Sequence, residues 1–227
     1  MIMQFSGGKD SLAVLHMFKD KIEQVFFANT GFNFPHMLDF IERTCKKYNL
    51  PLTHVKAYTD VDTYTKDKGL PVDVVPIGFN PTGAQSVIQC CGKMTWEPMK
   101  AYVMTSGIKT VLRGQKKCDH HRSLGAEFLF EGAKYLNPIW EWSDDDVFAY
   151  LKENNVEIAA HYKEMNESFD CWNCTGHLSH EGAGRRLEYT KKHYPELWPV
   201  LENRLKQARS ILKKEQDIVD KELEACK

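Results

Sequence analysis

Residues 6–11 read Ser6-Gly7-Gly8-Lys9-Asp10-Ser11. The apolar run Ile2-Met3-Gln4-Phe5 precedes them and Leu12-Ala13-Val14-Leu15 follows. The first run suits a short buried strand over residues 1–5, and the second opens a helix over residues 11 to about 21. A glycine-rich turn between a first strand and its helix is a phosphate-binding arrangement. Small residues let backbone N–H groups approach phosphate oxygens, and the helix N-terminus adds partial positive charge. Lys9 is placed to reach a phosphate and Asp10 to hold Mg²⁺. The plainer reading is a Gly-Gly turn with a solvated Lys-Asp pair. Six consecutive residues of phosphate-site chemistry, at the first strand-to-helix turn, favour phosphate binding. The pattern is neither GxxxxGK[ST] nor GxGxxG.

Outward from this turn the same rhythm continues. QVFFANTG (24–31) reads as a second strand, HMLDFIERTCKKY (36–48) as an amphipathic helix and THVKAYT (53–59) as a third strand. Strands alternating with helices argue for a parallel sheet covered by helices, with right-handed crossovers. Residues 60–89 carry Gly and Pro and read as a long loop region bordering the site. MTWEPMKAYVMTSG (94–107) reads as helical, TVLRG (110–114) as a fourth strand and KYLNPIWEW (134–142) as extended. Ser143 caps a helix whose first turn holds Asp144, Asp145 and Asp146, where the helix dipole favours them.

From residue 184 onward the chain is highly charged, with Leu201, Leu205, Ala208, Leu212, Val219 and Leu223 in a stripe at helical spacing. The expected organisation is a nucleotide-binding domain over 1–180 and a charged helical extension over 181–227. That helix would lie on the domain or on a second copy, a candidate homo-oligomer contact.

The 227 residues suffice for one domain with an appendage. The formal net charge of -1 calls for neither nucleic acid nor a membrane surface. No apolar run reaches the roughly 18 residues of a spanning helix, and no signal-peptide pattern opens the chain. Seven cysteines without an export signal read as metal or redox chemistry in a reducing cytoplasm rather than as disulfides.

Cys90-Cys91 and Cys171-x-x-Cys174 supply four thiolates. CxxC turns two sulfurs toward one centre, whereas adjacent cysteines diverge and suit a polynuclear cluster. Three readings stay open on spacing: an iron–sulfur cluster, structural zinc, or buried small hydrophobes at Cys90-Cys91. Cys45 reads as an inert half-buried thiol. Cys118, in QKKCDHHRS (115–123), lies near positive charge that lowers a thiol pKa. Its neighbouring histidines lack the further ligand a metal site needs. Arg113, Lys116, Lys117 and Arg122 follow the fourth strand and suit sulfate or phosphate, or else a solvated loop.

SGGKDS resembles the PP-loop of the ATP pyrophosphatases, which bind ATP and cleave between its α- and β-phosphates. Over residues 5–180 the chain further resembles the phosphoadenylyl-sulfate (PAPS) reductase family. NTGFNFPHMLDFIE (29–42) is similar to its DTGxxFPE, with Asn29 in place of Asp. CCGKMTWEPM (90–99) is similar to its CCxxRKVEPL, NPIWEWSDDDVFAYL (137–151) to its NPLxxWxxxDVWxYI, and SFDCWNCT (168–175) to its SIGCxPCT. The resemblance implies an adenine-nucleotide α-hydrolase-like, Rossmann-like α/β fold with nucleotide at the C-terminal ends of the strands. It implies that Ser6, Gly7, Gly8, Lys9, Asp10, Ser11, Asn29, Thr30, Gly31, Arg113 and Gly114 line the nucleotide. It turns Lys93, Arg113, Lys116 and Arg122 toward the anionic end of the substrate. The CC…CxxC set is the [4Fe–4S] signature of the family's adenylyl-sulfate (APS) reductases, which makes Cys90, Cys91, Cys171 and Cys174 its ligands.

Two departures bear on activity. The family's reductases carry their nucleophilic cysteine in a C-terminal ECGLH; this chain ends KELEACK, which leaves Cys226 as the candidate. The PP-loop, often degenerate in sulfate reductases, is intact here, and Met94-Thr95 replaces Arg-Lys, with Lys93 nearby. The expected activity is reduction of APS or PAPS to sulfite and AMP or PAP with a thioredoxin-like donor. The alternative is an ATP-dependent adenylating sulfurtransferase using Mg²⁺, with nucleic acid as one acceptor. A non-catalytic, zinc-stabilised accessory subunit is the third reading.

Overall fold

The computed structural model describes residues 1–78, 83–119, 124–168, 171–179 and 183–225. In chain order they form β1 (Ile2–Gln4), α1 (Lys9–Phe18), β2 (Gln24–Asn29), α2 (Pro35–Lys47), β3 (Leu52–Lys56), α3 (Val61–Lys68), β4 (Leu70–Val72), β5 (Ala84–Ser86), α4 (Val87–Cys91), α5 (Glu97–Thr105), β6 (Thr110–Leu112), β7 (Glu127–Phe130), β8 (Ala133–Leu136), α6 (Asp144–Glu153), α7 (Ala183–His193) and α8 (Trp198–Ala225). By compactness they fall into two units, residues 1–57 with 95–169 and residues 58–94 with 170–227. This division groups the charged C-terminal helices with residues 58–94 rather than setting 181–227 apart.

The first unit holds a six-stranded sheet in the order β3-β2-β1-β6-β8-β7. Five strands are parallel, and β7 at the edge runs antiparallel to β8. The fold is therefore mixed α/β with a mostly parallel sheet flanked by helices. Strands covered on both faces must be apolar throughout, and Met3, Val25 and Val111 are each 0% exposed. Helix α1 buries Leu12, Ala13, Val14 and Leu15, the apolar run that follows the glycines.

The topology locates the place where a ligand fits. From β1 the chain moves to β2 on one side, and later returns as β6 on the other. The loops leaving β1 and β6 therefore part at their carboxyl ends, and a crevice opens there in sheets of this kind. Residues 5–8 leave β1 at that point, and Arg113-Gly114-Gln115-Lys116 leave β6 beside them.

The second unit corrects the expected long loop over 60–89. Asp60 caps α3 by accepting from the Thr63 N–H at 2.8 Å. β4 pairs in parallel with β5, Leu70 opposite Ala84. Ser86 then starts α4 with a capping box closed by Gln89. These elements are three to eight residues long, too short to display a period in sequence. A single widened turn over Gly92–Trp96 follows Cys91. Helix α8 buries Leu201 and Ala208, the latter in a cluster with Leu70, Val72, Val75 and Ala84. Among the described residues no helix is long and apolar enough to cross a membrane.

Candidate functional site

The turn after β1 is held open by its own side chains. Gly7 has φ +80°, and a Cβ there would lie 2.8 Å from Met37 Cε and 2.9 Å from Ile41 Cγ1, so only glycine fits. The Ser6 hydroxyl accepts from the Gly8 N–H at 3.3 Å and sits 3.1 Å from the Ser11 hydroxyl, which donates to the Gly8 carbonyl at 3.0 Å. Gly8 is the N-cap of α1 and has no side chain to satisfy the helix's first N–H groups. One of them, Lys9 N–H, donates to the Tyr162 hydroxyl at 2.9 Å, and Ser168 Oγ lies 3.1 Å from that hydroxyl.

Charge around the turn is paired internally, with one carboxylate in excess. Lys9 Nζ lies 3.0 Å from Asp10 and 3.1 Å from Asp144. Lys116 reaches Asp10, Asp144 at 3.0 Å and Asp119 at 3.2 Å, and is 2% exposed. Burial works against the Lys116 ammonium, but its hydrogen bond to Asp10 and the charges of Asp10 and Asp119 outweigh it, holding its pKa above the usual lysine value. Lys9 is raised in the same way, Asp10 outweighing burial. Asp144 moves down despite partial burial, because it accepts from Lys116 and faces Lys9. Two ammonium groups thus meet three carboxylates, and Lys116 is engaged by carboxylates rather than standing open to a substrate anion.

Arg113 is different. Its guanidinium lies over the Tyr135 ring, 5.7 Å from the centroid, and burial pulls its pKa down with only the Tyr135 hydroxyl to offset it. Among the described residues no carboxylate forms an ion pair with it. The following Gly114 is pressed onto α1, where an added Cβ would lie 2.6 Å from Asp10 C and from Ser11 Cα. On the other side of β1, Asn29 Oδ1 accepts from the Gly31 N–H at 2.9 Å, and Asn33 Oδ1 accepts from the Thr30 N–H at 3.0 Å. These bonds shape a turn at the carboxyl end of β2.

The second unit holds the cysteines. Cys90 and Cys91 close α4; Cys171 and Cys174 span a tight turn in which the Cys174 N–H donates to the Cys171 carbonyl at 3.2 Å. The Gly176 N–H points at Cys174 Sγ at 3.4 Å, a bond that favours a thiolate. Gly176 packs against Val87 at the start of α4, the Thr175 hydroxyl donates to the Pro71 carbonyl at 2.7 Å, and Asp73 accepts from the N–H groups of His177 and Ser179. Burial, and then the neighbouring Cys174, push the Cys90 thiol up to about 12, while Arg204 works the other way. The donors suit a soft metal in kind, and none of the four is in a disulfide. Among the described residues, however, no three His, Cys, Asp or Glu side chains converge to hold a metal ion.

Residues 1–177 match the phosphoadenosine phosphosulfate reductase domain. The chain belongs to this family. An uncharacterized protein of Methanocaldococcus jannaschii is 26% identical over 204 residues, covering 86% of this chain and 44% of that one. An adenosine 5'-phosphosulfate reductase of Deinococcus radiodurans is 24% identical over 155 residues, covering 67% and 56%. The chain spans about half the length of these curated relatives. The phosphoadenylyl-sulfate reductase of Candida auris, solved as a phosphate complex, shares the fold at a TM-score of 0.56, with 21% identity over 75% of this chain and 80% of that one.

Of the residues singled out in this family member, the PP-loop turn, Gly114 and Lys116 come together around α1, with Arg113 one residue from that contact. Lys93 is exposed and belongs to the other unit. Arg122 and Cys226 lie outside the described residues. Sequence reasoning missed Asp119, Tyr162 and Ser168, and read Asp144 only as a helix-dipole charge.

Proposed function

We propose that the protein reduces an adenylyl sulfate, APS or PAPS, to sulfite and AMP or PAP, using a thiol as nucleophile. The observation that carries this reading is Arg113, a half-buried guanidinium with no ion-pair partner among the described residues, in the position directly after β6. A partly buried cation without a counter-ion is costly, and two oxygens of a tetrahedral sulfate or phosphate group offer its planar guanidinium bidentate bonds. The Deinococcus relative's adenosine 5'-phosphosulfate reductase name supports the same substrate class. A thiolate, proposed as Cys226, attacks the sulfur; the S–O bond to the nucleotide phosphate breaks and AMP or PAP leaves with the electron pair. The S-sulfocysteine is then cleaved by a thioredoxin-like dithiol, which becomes a disulfide as sulfite leaves. Ser6, Gly7, Gly8, Lys9, Asp10, Ser11, Asn29, Thr30, Gly31 and Gly114 hold the nucleotide in this reading, with Arg113 at its anionic end.

Cys90, Cys91, Cys171 and Cys174 are proposed to hold a [4Fe–4S] cluster, with zinc as the alternative. Either would supply the positive charge that buried thiolates need.

The PP-loop itself favours a second reading, adenylation by Mg-ATP ahead of sulfur transfer. Its open glycine turn and helix N-terminus suit a phosphate chain, and two lysines against three carboxylates leave a divalent cation to neutralise the rest. One experiment separates the readings. Protein purified without oxygen is assayed for metal, iron–sulfur absorbance, sulfite from APS and PAPS with thioredoxin, and AMP plus pyrophosphate from ATP. Sulfite supports the reductase. Pyrophosphate without sulfite overturns it in favour of adenylation, and turnover of neither nucleotide overturns both in favour of an accessory subunit.

A further inference from the structure

The CxxC turn is gripped by residues outside the family domain. That domain matches residues 1–177, and two arginines beyond it reach the turn. Arg186 of α7 donates through Nη2 to the carbonyls of Cys174 at 3.3 Å and Gly176 at 3.1 Å. Arg204 of α8 donates through Nη1 to Asp62 Oδ1 at 2.8 Å and through Nη2 to Thr65 Oγ1 at 3.2 Å. The same Asp62 oxygen accepts from Nδ2 of Asn173, inside the CxxC turn, at 3.3 Å. One carboxylate of α3 thus joins the C-terminal helix to the cysteine turn, and all these residues belong to the second unit.

Arg204 is more deeply set than an ion pair requires. Its side chain is 10% exposed against 40% for Asp62, so water screens the carboxylate more than the guanidinium. Its remaining donor, the Nε–H, is buried and has no acceptor among the described residues. A buried donor left open costs free energy unless a ligand completes it. The charge of Arg204 also reaches the cysteines, where it favours the Cys90 thiolate. Four thiolates around a dication leave a net charge of about −2, whether the dication is zinc or the oxidised core of a four-iron cluster. Burying that charge requires a cation nearby. We propose, resting on the metal reading of the four cysteines, that Arg204 is this cation. It is a positioning residue: Asp62 and Thr65 hold its guanidinium, which offsets the charge of the metal-bound thiolates, and α8 is thereby part of the metal site.

The full chain, purified without oxygen, is assayed for zinc, iron and sulfide and then titrated with a chelator while bound metal is followed. Arg204→Gln is expected to lower metal affinity roughly 10–100-fold, the usual cost of removing a group that supports metal ligands. Arg204→Lys keeps the charge and stays within about threefold of wild type. Asp62→Asn separates charge from scaffolding. It keeps an oxygen for Arg204 and Asn173 but drops the opposing charge, so it holds metal at least as tightly as wild type. Both Arg204→Gln and Asp62→Asn lower the melting temperature of the metal-free chain, because each breaks the same ion pair. A purely structural pair would therefore weaken metal binding alike in the two variants, and that result overturns the proposal. So does unchanged metal affinity in Arg204→Gln, or a lysine variant as weak as the glutamine one; in each case the metal reading of the cysteines stands. A wild-type chain that holds no metal overturns that reading, and the role of Arg204 with it.

Discussion

The PP-loop turn and the cysteine turn are built alike and charged differently. Each places a glycine hard against another element, Gly7 against Met37 and Ile41, Gly176 against Val87. Each is tied by side-chain bonds to backbone, through Ser6 and Ser11 in one and Asp73 and Thr175 in the other. Around the PP-loop, however, every charge has its partner in place, while at the cysteine turn burial opposes ionisation of Cys90 and only Arg204 helps it. The first turn is preformed. In the proposed reading, the second acquires its ionised state with the metal it is proposed to hold.

The sharpest way to break the first turn is through backbone that cannot move. Gly114→Ala drives a Cβ into Asp10 and Ser11 main-chain atoms, with an expected loss of about 3 kcal/mol and of nucleotide binding, read by thermal melting and titration. Next comes the charge balance. Lys116→Met takes one ammonium from Asp10, Asp119 and Asp144, of which Asp10 and Asp144 keep Lys9, at about 2 kcal/mol because those carboxylates are partly solvated. Its pH dependence has a defined sign. The folded-state pKa of Lys116 is raised, so its contribution is fully present below the unfolded value of 10.5 and is lost as pH rises through the higher folded value. Asp144 is lowered below 3.8, so its share is present above that value and is lost only as pH falls through the folded one. The stability gap between wild type and Lys116→Met is therefore widest between about pH 4 and pH 10.5 in denaturant melts.

The cysteine turn yields more readily. Gly176→Ala presses on the Val87 side chain, which can rotate, and costs about 1.5 kcal/mol in the same melts while leaving nucleotide affinity unchanged. The smallest effect is Ser143→Ala. It removes one half of the capping box with Asp146 and costs about 1 kcal/mol.

The same contrast governs what the sequence made readable. The alternation from β1 to α2 was legible because β1 and β2 are largely buried apolar runs and α2 carries a clear stripe. SGGKDS was legible because its chemistry is local, and Ser143 because capping boxes are local too. Residues 60–89 were read as loop because their helix and paired strands are too short to show a period. β7 was missed because an exposed edge strand, with Leu129 78% exposed, has no buried face to pattern it. Asp144 was seen at a helix start, yet its contact with Lys9 and Lys116 exists only once α6 and α1 pack together. Nothing in EIAAHYKE marks Tyr162 as the acceptor for the Lys9 N–H.

The central claim is that the crevice between the β1 and β6 loops binds an adenylyl nucleotide through Arg113. Calorimetric titration of APS and of AMP into wild type and Arg113→Ala tests it most directly. The account predicts that the variant melts at or above the wild-type temperature, since a partly buried cation with no ion-pair partner among the described residues has been removed, and binds APS at least tenfold more weakly, the worth of a charge-assisted hydrogen bond of about 1.5–3 kcal/mol. Equal affinity in the two proteins would contradict it.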